Sequence, residues 1–339
     1  MHKTRLGRTG LMVSRSAFGA LPIQRLTVPD AARLLRRAFD EGINFFDTAR
    51  VYSDSEIKIG TALHDVRDQV ILASKTMAST PEAFWRDLDT SLKTLRTDWI
   101  DIYQLHNPPQ APEEGDPLYE CLLKARESGK IRFPGVSLHS LAAARKALSG
   151  GLYDTIQYPL SALSTDEELD FAAQCGQRDI GVIAMKALSG GLLTSASLSM
   201  AVLRPFAHVV PIWGFQRESE LEEVLVLEQS PPEMDEVMRA RVARERESLS
   251  GEFCRGCGYC MPCPEGLRIN WCARLPQVLR RMPESQFYTP EWRAEIIKLS
   301  QCTECRTCVT RCPYHLDIPA LLRAAAADYE AYGKELGLF

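Results

Sequence analysis

The sequence is short of several things, and each shortage removes a class of protein. No uninterrupted apolar run reaches the ~18 residues that a membrane-spanning helix needs, so no membrane span is expected. The opening residues Met1-His2-Lys3-Thr4-Arg5 are polar and lack the apolar core of a secretory leader, which points to the cytoplasm. Positive charge is not in surplus: 40 Lys and Arg against 44 Asp and Glu leave a net charge of −4, with no basic field to attract nucleic acid. Nowhere is there a G-x-G-x-x-G, the glycine pattern of an open dinucleotide-binding sheet.

What is present reads as an ordinary soluble chain with one anomaly. The 339 residues are 45% hydrophobic and 25% charged, enough for a barrel of about 250 residues and an appendage. From residue 10 to about 230, short apolar runs alternate with amphipathic stretches. Strands are expected near Ser16–Gly19 and at Asn44–Phe46, Val70–Ser74, Ile100–Leu105, Gly135–Leu138, Thr155–Tyr158, Gly181–Met185 and Val209–Trp213. Helices are expected at Ser55–Asp65, Glu82–Leu95, Leu118–Ser128, Leu141–Leu148, Asp166–Gln174 and Ser219–Leu227, and in the second of these Phe84, Leu88, Leu92 and Leu95 share one stripe. Repeated strand–helix units imply parallel strands with right-handed crossovers, and eight of them favour closure into a (β/α)8 TIM barrel. Pro231-Pro232 punctuates the chain, so the barrel is placed at 1–230 and a mostly helical, ferredoxin-like extension at 231–339.

The anomaly is cysteine. Eight of the 11 sit in two short runs, and without a secretory leader such runs read as metal or redox sites. Cys302-x2-Cys305-x2-Cys308-x3-Cys312-Pro313 has the spacing of bacterial ferredoxins. Cys254-x2-Cys257-x2-Cys260-x2-Cys263-Pro264 is one residue shorter before its last thiol. Two [4Fe–4S] clusters are expected. Structural zinc is the competing reading, but zinc ligands usually come as two pairs with a longer gap. In two-cluster ferredoxins the fourth cysteine of each run ligates the other cluster. That resemblance implies Cys254, Cys257, Cys260 and Cys312 on one cluster, and Cys302, Cys305, Cys308 and Cys263 on the other. Cys121, Cys175 and Cys272 read as buried packing.

The first two hundred residues carry a second pattern. Gly42-Ile43-Asn44-Phe45-Phe46-Asp47-Thr48-Ala49-Arg50-Val51-Tyr52 is followed by Leu72-Ala73-Ser74-Lys75-Thr76 and Ile100-Asp101-Ile102-Tyr103-Gln104-Leu105-His106, each at a strand end. Together with the opening Arg5–Ser14, these resemble the aldo-keto reductases over roughly residues 4 to 225. The resemblance implies a tetrad of Asp47, Tyr52, Lys75 and His106 and a small carbonyl or alcohol substrate. The residue types suit that chemistry. Reducing a carbonyl by hydride needs a proton donor, and free tyrosine, with a pKa of about 10, is a poor one until a neighbouring ammonium favours its phenolate. Asp47 would hold the lysine, and His106 would orient the carbonyl oxygen.

The cofactor pocket matches only in part. Ser137 and Gln157 stand where the family bonds a nicotinamide carboxamide. Where it stacks an aromatic ring after the seventh strand, this chain has Met185 followed by Lys186. After the eighth strand the family's arginine and asparagine align with Glu220 and Val224, leaving Gly214, Arg217 and Ser219 as candidate phosphate contacts. NAD(P)H is the expected cofactor. Lys186 admits a flavin phosphate instead, or is simply a surface lysine at a loop edge. The expected function is therefore an oxidoreductase interconverting a carbonyl and an alcohol, with two [4Fe–4S] clusters and a redox partner protein moving electrons. The alternative is an electron-transfer or redox-sensing subunit whose barrel no longer catalyses.

Overall fold

The computed structural model describes residues 1–249, 253–279 and 284–338. It divides into two compact units: Met1–Leu188 with Ser195–Val242, and Ser189–Thr194 with Ala243–Phe339. Pro231, where a boundary is expected from the sequence, lies within the first unit. The division falls in the helix Glu236–Ser248, and the short segment Ser189–Thr194 groups with the second unit.

The first unit opens with a hairpin, β1 (Lys3–Arg5) paired antiparallel to β2 (Met12–Ser14). Eight parallel strands follow: β3 (Ala17–Gly19), β4 (Phe45–Asp47), β5 (Ile71–Thr76), β6 (Ile100–His106), β7 (Ile131–Ser137), β8 (Thr155–Pro159), β9 (Gly181–Met185) and β10 (Val209–Gly214). They close in chain order, β10 returning to pair with β3, so the expected barrel is the observed one. Several boundaries differ from expectation. The strand β7 begins at Ile131, four residues early, and helix α2 (Ser55–Leu63) gives way to a 3-10 turn at His64–Gln69.

The helices around the barrel start and stop for local reasons. Helix α3 (Pro81–Leu95) is capped by the Thr80 hydroxyl accepting from Ala83 N, has Pro81 in its first turn, and buries Phe84, Leu88 and Leu95. Helix α6 (Asp166–Gln177) carries a full capping box between Thr165 and Glu168. Helices α4 (Pro117–Glu127), α5 (Leu141–Gly150), α7 (Ala196–Leu203), α8 (Glu218–Gln229) and α9 (Glu236–Ser248) complete the set with α1 (Val28–Asp40). Phe45, Ile71, Ala73, Ile102, Ile183, Val210 and Ile212 fill the barrel, joined by Leu6, Leu11 and Val13 from the hairpin.

In the second unit, short helices α10 (Ile269–Cys272), α11 (Leu275–Val278), α12 (Pro290–Lys298) and α13 (Thr307–Thr310) precede the long α14 (Ile318–Glu335). Tyr329 of α14 is buried, stacks on Tyr288 at 4.5 Å and donates its hydroxyl to Phe287 O at 3.1 Å. Arg274 donates to Gly190 O at 2.7 Å, tying Ser189–Thr194 into this unit.

The contact of α2 with α3 depends on a missing side chain. A Cβ on Gly60 would lie 2.4 Å from Thr94 O, a backbone atom that cannot swing away. Gly60→Ala is expected to destabilise the first unit by about 1–3 kcal/mol through overpacking. A urea unfolding midpoint unchanged from wild type would contradict this.

Candidate active site

The closed register brings the polar residues to one end of the barrel. Asp47 ends β4 beside Ala73, Lys75 pairs with Gln104, His106 with Ser137, and Ser137 with Gln157. Five neighbouring strands thus deliver these side chains to their C-terminal ends, the face on which barrel enzymes keep their sites. Tyr52 comes from the loop after β4. That loop is pinned to β5 by Thr48 N donating to Ala73 O and Arg50 N to Lys75 O, both at 2.9 Å.

Lys75 is fully buried, as is Asp47. The ammonium donates to Asp47 Oδ2 at 2.7 Å and to Thr48 O at 2.6 Å. Burial lowers the lysine and raises the aspartate, and each is opposed chiefly by the other's charge. Lys75 Nζ is 5.2 Å from the centre of the Tyr52 ring, and the His106 ring meets that ring edge-on at 5.8 Å. The four tetrad residues expected from the sequence are therefore brought together. The left-handed residues Ser53 and Asn107 directly follow Tyr52 and His106.

Two features of the site escaped the sequence reading. Gln104 donates to Gln157 Oε1 at 2.8 Å and reaches Asp47 Oδ1 at 3.5 Å. Gln157 also favours the Asp47 carboxylate through its side chain, so two carboxamides support that charge besides the lysine. Gln104 sits inside an apolar strand, and only its being polar at an inward position could have flagged it. The second is His139, whose Nδ1 donates to Asn107 Oδ1 at 3.0 Å. Gln104 lies within the Ile100–His106 stretch without being singled out there, and His139 belongs to no motif.

Of the expected cofactor contacts, Ser137 is buried with no hydrogen-bond partner for its hydroxyl among the described residues, as a site for a carboxamide would be. Lys186 is half-buried and left-handed (φ 57°), one residue beyond β9. Gly214, Arg217 and Ser219 are exposed around the start of α8. The amides there have a partner: the Glu220 carboxylate accepts from Gln216 N at 2.8 Å and Arg217 N at 3.1 Å.

In the second unit, Cys260, Cys263, Cys302, Cys305 and Cys308 line one cavity. The Cys254 thiol is near enough to Cys257 and Cys312 to feel their charge, and Cys260 likewise feels Cys254, Cys257 and Cys308. Arg255 lies between the rings of Phe253 and Tyr314, at 4.5 and 4.4 Å, joining the segments that carry Cys254 and Cys312. Among the described residues, no three His, Cys, Asp or Glu side chains converge on a single-ion point, whereas five of the thiols line the cavity. Cys121, Cys175 and Cys272 are buried.

Comparison with known proteins follows this division. Residues 16–227 match the aldo/keto reductase family and residues 253–317 match a 4Fe-4S dicluster domain. An uncharacterized oxidoreductase, YrpG, of Bacillus subtilis is 31% identical over 58% of this chain and 70% of its own length. L-galactose dehydrogenase of Arabidopsis thaliana is 32% identical over 56% of this chain and 66% of its own. Among solved structures, an aldo-keto reductase of Klebsiella pneumoniae in complex with NADPH superposes with a TM-score of 0.60 at 24% identity. That match covers 72% of this chain and 94% of the other.

Both site histidines carry a pH signature. Burial, and then the charge of Lys75, pushes His106 down to about 3. His139 is held well below the ordinary imidazole value by burial and by Lys186, His106 and Lys75. Unfolding frees each ring to take a proton near pH 6.5, so stability is intact above that value and drains away as pH falls toward the depressed folded values. The cost approaches about 1.4 kcal/mol per pH unit for each ring. His139→Gln is expected to remove one ring's share of the slope between pH 6.5 and 5. Identical slopes for variant and wild type in urea unfolding would refute it.

Proposed function

This chain belongs to the aldo/keto reductase family, and on that premise we propose that its barrel interconverts a small carbonyl compound and its alcohol, with Tyr52 moving the proton. The observation that carries this reading is the convergence of Tyr52, His106 and Lys75 at one end of the barrel, with Asp47 beneath. A nicotinamide, when bound, supplies the hydride. The remaining work is the chain's own. Tyr52 gives its hydroxyl proton to the carbonyl oxygen as the hydride arrives at carbon, and takes it back in the reverse direction. The Lys75 ammonium stabilises the negative charge left on the phenolate oxygen, as expected of a fixed cation in a dry site. Asp47 balances Lys75 in the barrel interior, where a lone ammonium would be too costly, and Gln104 and Gln157 fix the carboxylate's orientation. His106 is neutral over the working pH range and so orients the carbonyl by hydrogen bonding without competing for the proton.

Ser137 is the residue fitted to hold the carboxamide, its buried hydroxyl having no partner among the described residues. The opposite end of the cofactor is less welcome to extra charge. The amides at the start of α8 already serve Glu220, so a 2′-phosphate would have to displace a carboxylate and remain beside it. NADH is therefore the favoured form. In the second unit the donor set is eight thiols in two sequence runs, five of them lining one cavity, which fits two [4Fe–4S] clusters. Cys254, Cys257, Cys260 and Cys312 would hold one, and Cys263, Cys302, Cys305 and Cys308 the other. When bound, the clusters supply one-electron storage, and a redox partner protein is the proposed source or sink.

Tyr52→Phe is expected to lower kcat for carbonyl reduction by about 10²–10⁴-fold with nicotinamide binding retained. If the variant keeps its rate, Tyr52 is not the proton donor. Binding of NADH and NADPH, followed by nicotinamide fluorescence, tests the other claim. Wild type should prefer NADH, and Glu220→Ala should tighten NADPH by about tenfold, equivalent to about 1.4 kcal/mol. A Glu220→Ala protein with an unchanged NADPH affinity would remove Glu220 from the cofactor site.

A further inference from the structure

The two groups of thiols differ in what covers them. Cys254, Cys260 and Cys312 are 9, 7 and 7% exposed, and Cys257 is half-buried. No residue from Phe253 to Cys260 is exposed, and Arg255 sits between the rings of Phe253 and Tyr314 across this group. The other group is open. Cys305 is exposed, Cys302 and Cys263 are half-buried, and only Cys308 is covered. The neighbouring chain follows suit: Gln301, Thr303, Glu304 and Arg306 are exposed, as are Pro262 and Pro264 on either side of Cys263. Glu304 and Arg306 both have left-handed backbone (φ 52° and 58°), so the chain turns sharply on each side of Cys305.

We infer that the two cluster sites are unequal. The site of Cys263, Cys302, Cys305 and Cys308 is the protein's point of contact with external reagents and electron carriers, while the site of Cys254, Cys257, Cys260 and Cys312 is shielded. This rests on the dicluster reading above. Solvent access governs how fast oxidants and chelators reach sulfur and is one of the levers on cluster potential. A site with an exposed ligand therefore answers the surroundings first. The difference is built into the chain and does not depend on which carrier the protein meets.

The holoprotein itself tests the inference. Purified anaerobically, it should contain about eight iron atoms per chain, the content of two [4Fe–4S] clusters. A chain holding zinc instead would overturn the dicluster reading before any order is measured. With iron confirmed, limited ferricyanide and EDTA treatment is stopped at half iron loss, and freed thiols are alkylated with iodoacetamide under native conditions and mapped by peptide mass. The expected result is label on Cys263, Cys302, Cys305 and Cys308 at least about tenfold above the other four, with buried Cys121, Cys175 and Cys272 as internal controls. Equal labelling of both groups, or label first on Cys254, Cys257 and Cys260, overturns the inference. Label on Cys302, Cys305 and Cys308 accompanied by Cys312 instead of Cys263 overturns the site as assigned, because each run would then serve its own cluster.

Discussion

The site depends on one buried ion pair. A fully buried ammonium cannot stand alone in a barrel, and neither can a fully buried carboxylate, but Lys75 and Asp47 at 2.7 Å satisfy each other. The pair requires β4 and β5 to be neighbours in a set register, and closure of the barrel supplies that register. Around it, the Gln104 and Gln157 carboxamides take up the carboxylate's remaining capacity, and Thr48 O takes up some of the ammonium's. Tyr52 and His106 are then arranged over a cation whose position is fixed before any ligand arrives. The same charge helps keep both histidines neutral.

Much of this was legible because the chemistry sits where the sequence pattern changes. Asp47, Lys75 and His106 each end an apolar run, so periodicity located the strand and the polar residue located its end. The cysteine runs were legible for another reason, since four thiols within a dozen residues have few other uses. Helix α1 went unread because its buried face is only Ala31, Leu34, Leu35 and Ala38 among several arginines. Gln104 went unread because an inward position in a strand is assumed to be apolar. The Asn107–His139 pair joins two loops that approach only once β6 and β7 are paired. Glu220 was visible as an acid near the expected phosphate loop, but its hydrogen bonds to the two backbone amides become apparent only with the loop folded.

The two units hold their reactive groups by opposite means. In the barrel, five rigid strands deliver six side chains, and the loops contribute Tyr52 alone among the tetrad. In the cysteine-rich unit, most of the thiols come from loops and very short helices, braced by the long α14 and its Tyr329. Such a scaffold has little regular hydrogen bonding near the thiols, so ligation itself is what would fix them.

The way the thiols are shared also has a consequence for how the protein is made. Cys263 belongs in space with Cys302, Cys305 and Cys308, while Arg255 ties the neighbourhood of Cys254 to that of Cys312. During synthesis the first run therefore emerges with an incomplete set. On the proposed pairing, the chain must be extended through Cys308 before Cys263 meets its three neighbours, and through Cys312 before Cys254, Cys257 and Cys260 gain a fourth. Iron delivered to the nascent chain would find no finished site, whereas the barrel, encoded earlier, has all its strands by Gly214. Maturation is thereby ordered by the chain itself, with the barrel's strands complete before either metal site can be.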